Sequence, residues 1–477
     1  MDLRLLALLL ITFGGQALSE VNTTQPSTTV LPPDIAVTSN GYDHSYTPTR
    51  EPSIPPQPEK VEEDSSEELV ESSCAAYIAS DKAKQALGAA VMKFGLELLS
   101  NLKKGPDEPN VIVSPISVSL ALSQLALGAA DETASQLLRV LHADGIPCYH
   151  KALSSLLHEL DSNALQVASR IYLKPGFKVK QDFVEESKRI YGTYPATLTK
   201  LEEINEWVEK STEGQVTDFL SSLLPNLVLL LINAVHFKGK SSAGLDSIIR
   251  EWEARFDPRF TSSDFFHVDE DNMVKVDMMH GPKYPLSQIM LNDLDAQVAR
   301  LSFKGNMSLL IVMPVSGKVN VSDITAKLNI SDLYARFPEQ RSVQVQLPRF
   351  KLQYTQELHQ ALTSMGLEEL FSGPNLPRIA DGPLLVSSVQ HKSSMELNEE
   401  GAEAAAATSV AIQRSSPFFC VNQPFFFAIL DDVTQTPIFL GVITNPNPTS
   451  PLIQYKPERG DVDKGDKLGL NDKITPK

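Results

Sequence analysis

The sequence predicts a domain of the mixed α/β class, and three observations predict it. Apolar residues recur at helical spacing from Asp81 onward, which indicates an amphipathic helix. Leu227–Phe237, LVLLLINAVHF, is an apolar run of strand length and indicates a fully buried strand. Pro424–Leu430 and Ile438–Thr444 flank the polar segment Asp431–Thr436, as the two strands of a hairpin do. Since 42% of the 477 residues are hydrophobic, the chain can bury a large core.

The remaining elements follow the same periodicities in chain order. Asn110–Ala129 predicts a short buried strand that breaks at Ser114-Pro115 and leads into a helix. A helix is predicted over Gln356–Met365, and further helices within Leu137–Leu160, Asp182–Ile190 and Ile204–Gly214. Further strands are predicted within Gln288–Phe303, Ser308–Met313, Val343–Leu347 and Val386–Leu397.

The first residues are typical of a secretory signal. Arg4 precedes the apolar run Leu5–Phe13, and Ala17-Leu18-Ser19 offers a cleavage site before Glu20. A membrane helix would need about 20 apolar residues, so the run is too short for one. We therefore expect a secreted, extracellular protein.

Composition divides the rest of the chain. Residues 20–73 are rich in Thr, Pro and Ser and then acidic, so they are predicted to be disordered. The predicted domain covers residues 74–449, and residues 450–477 form a polar tail that we expect to be flexible.

Net charge and motifs exclude several function classes. A net charge of −17 argues against nucleic acid as a partner, and no later run is long enough to enter a membrane. The chain lacks H-E-x-x-H, C-x-x-C and G-x-S-x-G, which argues against a metal site or a hydrolase. The sequence predicts a monomer without cofactor, metal or catalytic residues.

The three cysteines leave one thiol unpaired in an oxidising compartment. Cys420 lies in an aromatic run and is expected to be a buried small hydrophobe, which favours a Cys74–Cys148 disulfide. Four Asn-X-Ser/Thr sequons predict glycosylation at Asn22, Asn306, Asn320 and Asn329.

The stretch Glu399–Phe419 carries two conflicting signals. Alternate residues from Ala402 to Ile412 form an apolar set, as in a half-buried strand, yet Ala404–Ala407 favour a helix. Such a conflict indicates two conformations. Arg414, followed by two small serines, is a candidate cleavage site for a protease that cleaves after basic residues. The alternative is an ordinary Ala/Ser-rich surface loop.

Six motifs in order give the chain a family resemblance. NVIVSPISVSLALSQLALGA, LINAVHFKGK, LPRFKLQYTQELHQALTSMGL, EEGAEAAAATS, FCVNQPFFFAI and PIFLGVITNPNP together resemble the serpins from about Leu87 to Pro448. The resemblance implies three β-sheets, about nine helices and an exposed reactive loop that inserts as a strand after cleavage.

The resemblance also implies roles within the loop. The reactive bond would be Arg414–Ser415, at which a serine protease is trapped as an acyl complex. The hinge would consist of Glu399, Gly401, Ala402, Ala404, Ala405, Ala406, Ala407 and Thr408. In most inhibitory serpins the cleaved residue lies fourteen positions after the hinge glycine, which is Ser415 here; we prefer Arg414, since a trypsin-like pocket selects a cation. The alternative is a non-inhibitory serpin that acts as a carrier or scaffold.

Residues outside the loop are implied in the same way. Ser114, Ser117, Asn233 and His391 match the structural switch cluster beneath the largest sheet. Trp207 matches a core tryptophan near the start of insertion. Serpins usually have Phe-X-Gly-X-Trp where this chain separates Phe237-Lys238-Gly239-Lys240 from Trp252 by residues 241–251, a possible insertion.

Within the family the resemblance is to inhibitors of plasmin, which implies a role in regulating fibrinolysis. Other trypsin-like proteases are expected targets as well. The tail would bind kringle modules through Lys464, Lys467, Lys473 and the terminal Lys477. Its alternative role is that of a solvated appendage. Fibrin is a further candidate partner, through cross-linking of an N-terminal glutamine; Gln25 and Gln57 are candidates by position alone.

Overall fold

Helices and strands alternate through a computed structural model, which describes residues 72–102, 109–161, 165–237, 252–316, 321–399 and 417–454. The longest helix, α1, spans Asp81–Asn101. The Ser80 side chain accepts a hydrogen bond from the Ala83 amide at its start, as an N-cap residue does. Its apolar face, including Leu87, Phe94 and Leu98, is fully buried, so the amphipathic pattern is confirmed.

The other helices are mostly short. They are α2 Pro115–Gly128, α3 Asp131–Val140, α4 Tyr149–Asp161, α5 Gln181–Tyr191, α6 Leu201–Ser211, α7 Val321–Thr325, α8 Ile330–Arg336, α9 His359–Ser364 and α10 Glu368–Ser372. Residues 72–78 are also helical, and Pro258–Phe260 forms a 3-10 turn.

Fourteen strands are described. They are β1 Val111–Val113, β2 Leu165–Leu173, β3 Ala196–Thr197, β4 Leu229–Phe237, β5 Ser262–His267, β6 Asn272–Leu291, β7 Ala296–Phe303, β8 Met307–Pro314, β9 Arg341–Glu357, β10 Val386–Leu397, β11 Phe418–Cys420, β12 Phe425–Asp431, β13 Pro437–Ile443 and β14 Ile453–Gln454.

Three groups of strands share their longest members. Sheet A has the order β3-β2-β4-β10-β9, and sheet B has the order β6-β7-β8-β12-β13-β1. Sheet C contains β5, β6, β9, β11 and β14. Because β9 belongs to sheets A and C, and β6 to sheets B and C, the hydrogen-bonded path is continuous.

The main core lies against sheet B. Every residue of β8 and β13 is buried, which explains why these strands read as continuous apolar runs. The mixed α/β class is confirmed, as is the predicted hairpin, now seen as β12 paired antiparallel with β13.

Two sequence predictions are wrong. The helix expected over Gln356–Met365 begins only at His359, because β9 continues to Glu357, which pairs with Gln390 of β10. Cys420 is only half buried, and its thiol donates a hydrogen bond to Gln346 Oε1 at 3.0 Å. It lies on the outer face of sheet C because its neighbour Phe419 takes the inner position.

The disulfide is the one the sequence favours. Cys74 and Cys148 are joined, with their Cα atoms 5.9 Å apart. The bond links the helical segment 72–78 to the beginning of α4.

Within the described ranges, no helix combines the length and apolar character needed to cross a bilayer. The same residues contain no group of three or more His, Cys, Asp and Glu side chains arranged to hold a metal ion.

Candidate functional site

Strands β4 and β10 pair directly, in parallel, at the centre of sheet A. Their register runs from Val386 opposite Leu229 to Met395 opposite Phe237. The neighbouring pairs, β10 with β9 and β4 with β2, are antiparallel. The seam between β4 and β10 is therefore the one parallel junction among the four central strands described, and no strand lies between them.

A buried polar cluster lies beneath this seam. Asn233 Oδ1 accepts hydrogen bonds from Ser117 Oγ at 2.8 Å and from His391 Nδ1 at 2.7 Å. Asn233 Nδ2 donates to the Ser117 carbonyl oxygen at 2.9 Å. The Ser114 amide donates to His391 Nε2 at 3.3 Å, which assigns the imidazole proton to Nδ1. The structure thus brings together all four residues of the predicted cluster.

His391 is held neutral at this position. Complete burial lowers its pKa to about 3, opposed only in part by its hydrogen bond with Asn233. Asn233 and His391 are direct cross-strand partners on β4 and β10, so their hydrogen bond spans the seam. Any separation of the two strands must break it.

Two further contacts tie β10 to the chain on the β4 side. Lys392 Nζ donates to the carbonyl oxygens of Thr217 and Asp218, at 2.8 and 3.0 Å, in the segment that joins α6 to β4. Burial lowers the pKa of Lys392, partly offset by Asp218. At the start of the seam, the Val228 amide donates to Ser387 Oγ at 3.0 Å.

The end of β10 is fixed by a nearly buried carboxylate. Glu399, 5% exposed, accepts a hydrogen bond from Thr261 Oγ1 at 2.6 Å and lies 3.5 Å from Arg349 NH1. Arg349 also pairs with Asp277, and that hydrogen bond is the largest cause of its raised pKa. Glu399, Arg349 and Asp277 border a cleft of about 520 Å³. The remaining lining includes Lys351, Glu396 and residues Pro446–Thr449.

Trp252 completes this end of the sheet. Its ring is 1% exposed and stacks on Phe303 with 4.3 Å between centroids. Its Nε1 donates to the Asn398 carbonyl oxygen at 3.0 Å. Phe237 also contacts Phe303, at 5.8 Å between ring centroids. Residues 238–251, which contain the possible insertion, lie outside the described residues. The residues on either side of them, Phe237 and Trp252, both contact Phe303.

Trp207 packs against a buried apolar cluster, as expected of a core tryptophan. This side chain is only partly buried and lies on α6, where the Arg170 guanidinium sits 4.0 Å from its ring centroid. Trp252 is the tryptophan that contacts the residue before Glu399. The Phe-X-Gly-X-Trp motif already aligned with Trp252 across residues 241–251, but it gave no sign of the contact with Asn398.

Both ends of the predicted reactive loop are anchored on β9. Leu397 pairs with Phe350, and Phe418 pairs with Gln344, so the anchors lie six residues apart on one strand. Residues 400–416 lie outside the described residues. They include most of the predicted hinge and the reactive bond, namely Gly401, Ala402, Ala404, Ala405, Ala406, Ala407, Thr408, Arg414 and Ser415.

The tail begins on sheet C. Asn447 Nδ2 donates to the Lys275 carbonyl oxygen at 3.0 Å, and Ile453 pairs with Met273 of β6. The predicted kringle-binding residues Lys464, Lys467, Lys473 and Lys477 lie beyond the described residues, as do the sequon residues Asn22 and Asn320. Asn306 and Asn329 are exposed, so both are accessible to a glycan.

Comparison with protein families decides the assignment. A family model described as serpin (serine protease inhibitor) matches residues 89–446. The chain belongs to the serpin family. The match contains the parallel seam, the cluster beneath it and both loop anchors.

Individual relatives agree with this serpin assignment. Alpha-2-antiplasmin from Mus musculus is 44% identical over 393 residues, which cover 81% of this chain and 77% of the relative. Alpha-2-antiplasmin from Bos taurus is 44% identical over 368 residues, which cover 76% of this chain and 73% of the relative. The crystal structure of uncleaved ovalbumin aligns with a TM-score of 0.67 at 26% identity, covering 76% of this chain and all of the ovalbumin chain.

The serpin cluster is not arranged for nucleophilic catalysis. Ser117 Oγ donates its hydrogen bond to Asn233, and His391 Nε2 accepts a hydrogen bond from the Ser114 amide. The basic nitrogen of the imidazole is therefore occupied, and no hydroxyl of the cluster donates to it. Burial and nearby Asp264 raise the pKa of the Cys420 thiol to about 11, which keeps it protonated. These groups hold strands together.

Proposed function

We propose that this serpin is a secreted inhibitor that traps plasmin, and other trypsin-like proteases, through cleavage at Arg414–Ser415. We propose plasmin as the target because the chain is 44% identical to alpha-2-antiplasmin of mouse and cow. On this proposal the protein regulates fibrinolysis as an inhibitor.

The chemistry belongs to the protease. Its active-site serine attacks the Arg414 carbonyl carbon, the bond to Ser415 breaks, and Ser415 leaves with a new amino terminus. The guanidinium of Arg414 fills the primary pocket, where a planar cation can bind a carboxylate through two hydrogen bonds. An ordinary substrate would then be released by water.

The parallel seam supports strand insertion as the trapping step. A segment that turns back after β10 and enters between β10 and β4 runs antiparallel to both. One parallel junction, Val386–Met395 against Leu229–Phe237, is thereby exchanged for two antiparallel ones. The exchange adds backbone hydrogen bonds at the centre of sheet A and gives insertion its driving force.

Insertion would carry the attached protease a long way. A strand of about 13 residues is roughly 43 Å long at about 3.3 Å per residue. The acyl bond travels with the end of this strand, which brings the protease against the far end of the sheet. Displacement of the catalytic groups by about 1 Å is enough to slow a reaction severely, so deacylation stops.

The hinge composition favours an inhibitor over a carrier or scaffold. Ala402 and Ala404–Ala407 are small and uncharged, so they can pass into a closing sheet without a buried charge. Gly401 and the alanines lack the proline that would remove a ladder hydrogen bond. The hinge therefore gives the carrier alternative no support.

The position of the tail supports a role in capturing plasmin. Gln454, the last residue that the structure describes, lies opposite Asn272, five residues along β6 from Asp277, which contacts Arg349 beside the hinge. That separation is about 17 Å. The remaining 23 residues have a root-mean-square reach of about 26 Å as a flexible chain. The Lys477 ammonium and carboxylate can therefore meet a kringle of a protease engaged at the loop.

Other features of the proposal come from the sequence. The signal at residues 1–19 would direct the chain to the extracellular space and plasma, where a Cys74–Cys148 disulfide persists. Glycans are proposed at Asn22, Asn306, Asn320 and Asn329. Fibrin remains a candidate partner through Gln25 or Gln57.

A covalent adduct tests the proposal. Plasmin mixed with the secreted protein should give an SDS-stable band at the summed mass. Arg414→Ala should abolish that band, whereas Arg378→Ala, at an exposed arginine between α10 and β10, should leave it unchanged. An adduct that forms at the same rate with Arg414→Ala would remove this residue from its role, and the absence of any wild-type adduct would refute the proposed function.

A further inference from the structure

An exposed aromatic side chain follows the proposed reactive bond at a distance of four residues. Phe418 is 52% exposed, although it is the first residue of β11. Its neighbour Phe419 is completely buried, since successive residues of a strand face opposite sides of the sheet. Packing in the core therefore does not explain why Phe418 carries an aromatic side chain.

The backbone of Phe418 is fixed independently of any partner. It pairs with Gln344 of β9, and the Gln344 amide donates to the Pro417 carbonyl oxygen at 2.9 Å. Two residues further on, the Cys420 thiol donates a hydrogen bond to the Gln346 side chain. An aromatic group held in this way loses little conformational entropy when a partner covers it.

The length of the intervening chain places Phe418 close to any protease at the loop. Four Cα–Cα steps separate Arg414 from Phe418, so the two Cα atoms are at most about 14 Å apart. A protease–inhibitor interface covers about 800 Å² on each partner, equivalent to a disc of roughly 16 Å radius. A footprint of that size centred on Arg414 includes Phe418.

We propose that Phe418 is a docking residue that contacts the protease surface on the leaving-group side of the reactive bond. The inference rests on the proposed function, because it requires a protease bound at Arg414. The partner surface is a patch that accepts an aromatic ring, since aromatic residues, phenylalanine among them, are enriched at protein interfaces. Phe418 thereby adds to the discrimination among proteases that all accept arginine in the primary pocket.

The experiment compares the association rate constants of three proteins with the isolated protease domain of plasmin. Using that domain alone removes any contribution of the tail and kringles. The proteins are wild type, Phe418→Thr, which retains a strand-forming residue, and Phe265→Thr as a matched control. Phe265 is also an exposed phenylalanine of sheet C, 43% exposed, but it lies on β5, with β6 and β9 between it and β11.

Phe418→Thr should slow association about fivefold, the effect expected from loss of one aromatic contact. The stoichiometry of inhibition and the midpoint of thermal unfolding should remain those of wild type, because insertion and folding do not use this ring. Phe418→Tyr should restore the rate, and Phe265→Thr should leave it unchanged.

Other results would overturn the inference in identifiable ways. Equal rates for wild type and Phe418→Thr, with a normal adduct, would refute the docking role and leave the proposed function intact. Equal slowing by Phe418→Thr and Phe265→Thr, or a lowered unfolding midpoint that accounts for the slowing, would also refute it. If wild type formed no adduct, the proposed function and this inference would fail together.

Discussion

The indole nitrogen of Trp252 donates a hydrogen bond to the carbonyl oxygen of Asn398, across 3.0 Å. Asn398 immediately precedes Glu399, the buried carboxylate that Thr261 and Arg349 hold in place. One end of β10 is thus fixed by an aromatic donor and by an ion pair, each from a different part of the chain.

Trp252→Phe should destabilise the intact protein by about 1 kcal/mol, because the Asn398 carbonyl loses its donor while a ring remains to stack on Phe303. Urea unfolding followed by far-UV circular dichroism measures the loss. Trp207→Phe is the control, since Trp207 is partly exposed. An equal or greater loss in the control would contradict the role assigned to Trp252.

Acid should weaken the cluster beneath the seam. Burial lowers the pKa of His391 from 6.5 to about 3, so between these pH values the unfolded chain binds a proton that the folded chain does not. Stability should therefore fall, as pH decreases through this window, by up to about 1.4 kcal/mol per pH unit from this group.

Unfolding midpoints at pH 7 and pH 5 test this effect in wild type and His391→Gln. Glutamine lacks the titrating group, so the variant should lose less stability between the two pH values. Identical losses would show that other groups carry the pH dependence.

Hinge substitutions should depend on which face of the inserted strand they occupy. Ala404→Arg places a charge in the apolar alternate set and should turn the inhibitor into a substrate, because a buried unpaired charge slows insertion. Ala405→Arg, in the other set, should retain trapping. Gel analysis with plasmin separates adduct from cleaved product, and equal behaviour of the two variants would contradict insertion in this register.

Cleavage within the loop should raise thermal stability. Inserting a strand between β4 and β10 adds on the order of 10 backbone hydrogen bonds, worth about 1 kcal/mol each. The unfolding midpoint should rise by roughly 10–20 °C. A metalloprotease can make the cut without an acyl intermediate, and calorimetry compares the two forms. An unchanged midpoint would refute insertion.

The tail should matter for plasmin and not for trypsin, which has no kringles. Deleting Gly460–Lys477 should slow the trapping of plasmin severalfold or more, because the intramolecular second encounter is lost. A free lysine analogue should slow the full-length protein similarly. Equal effects on both proteases, or on neither, would make the tail a solvated appendage.

Local patterns predicted the elements that repeat one periodicity without interruption. β10 has the bounds Val386–Leu397 that the sequence suggested, and the boundary at Ser114-Pro115 separates β1 from α2 as expected. The family resemblance, by contrast, was needed to bring Ser117 and Asn233 together, since 116 residues separate them.

Contacts outside any motif could not be predicted. Lys392 is an isolated cation within a serine-rich strand, and nothing local points to carbonyl groups 174 and 175 residues away. Arg349 lies inside a recognised motif, but its ion pair with Glu399 depends on where β9 passes from sheet C to sheet A. Such polar pairs are set by the tertiary arrangement of strands.

The two anchors of the loop rest on one strand, six residues apart along β9. The loop is therefore held at both ends by a single strand of the scaffold. Because the anchors Leu397 and Phe418 lie outside residues 400–416, a substitution at Arg414 should leave their pairing with β9 in place. Retargeting this scaffold to a protease of different specificity then becomes a matter of rewriting one short segment, while the hinge alanines and the seam remain as they are.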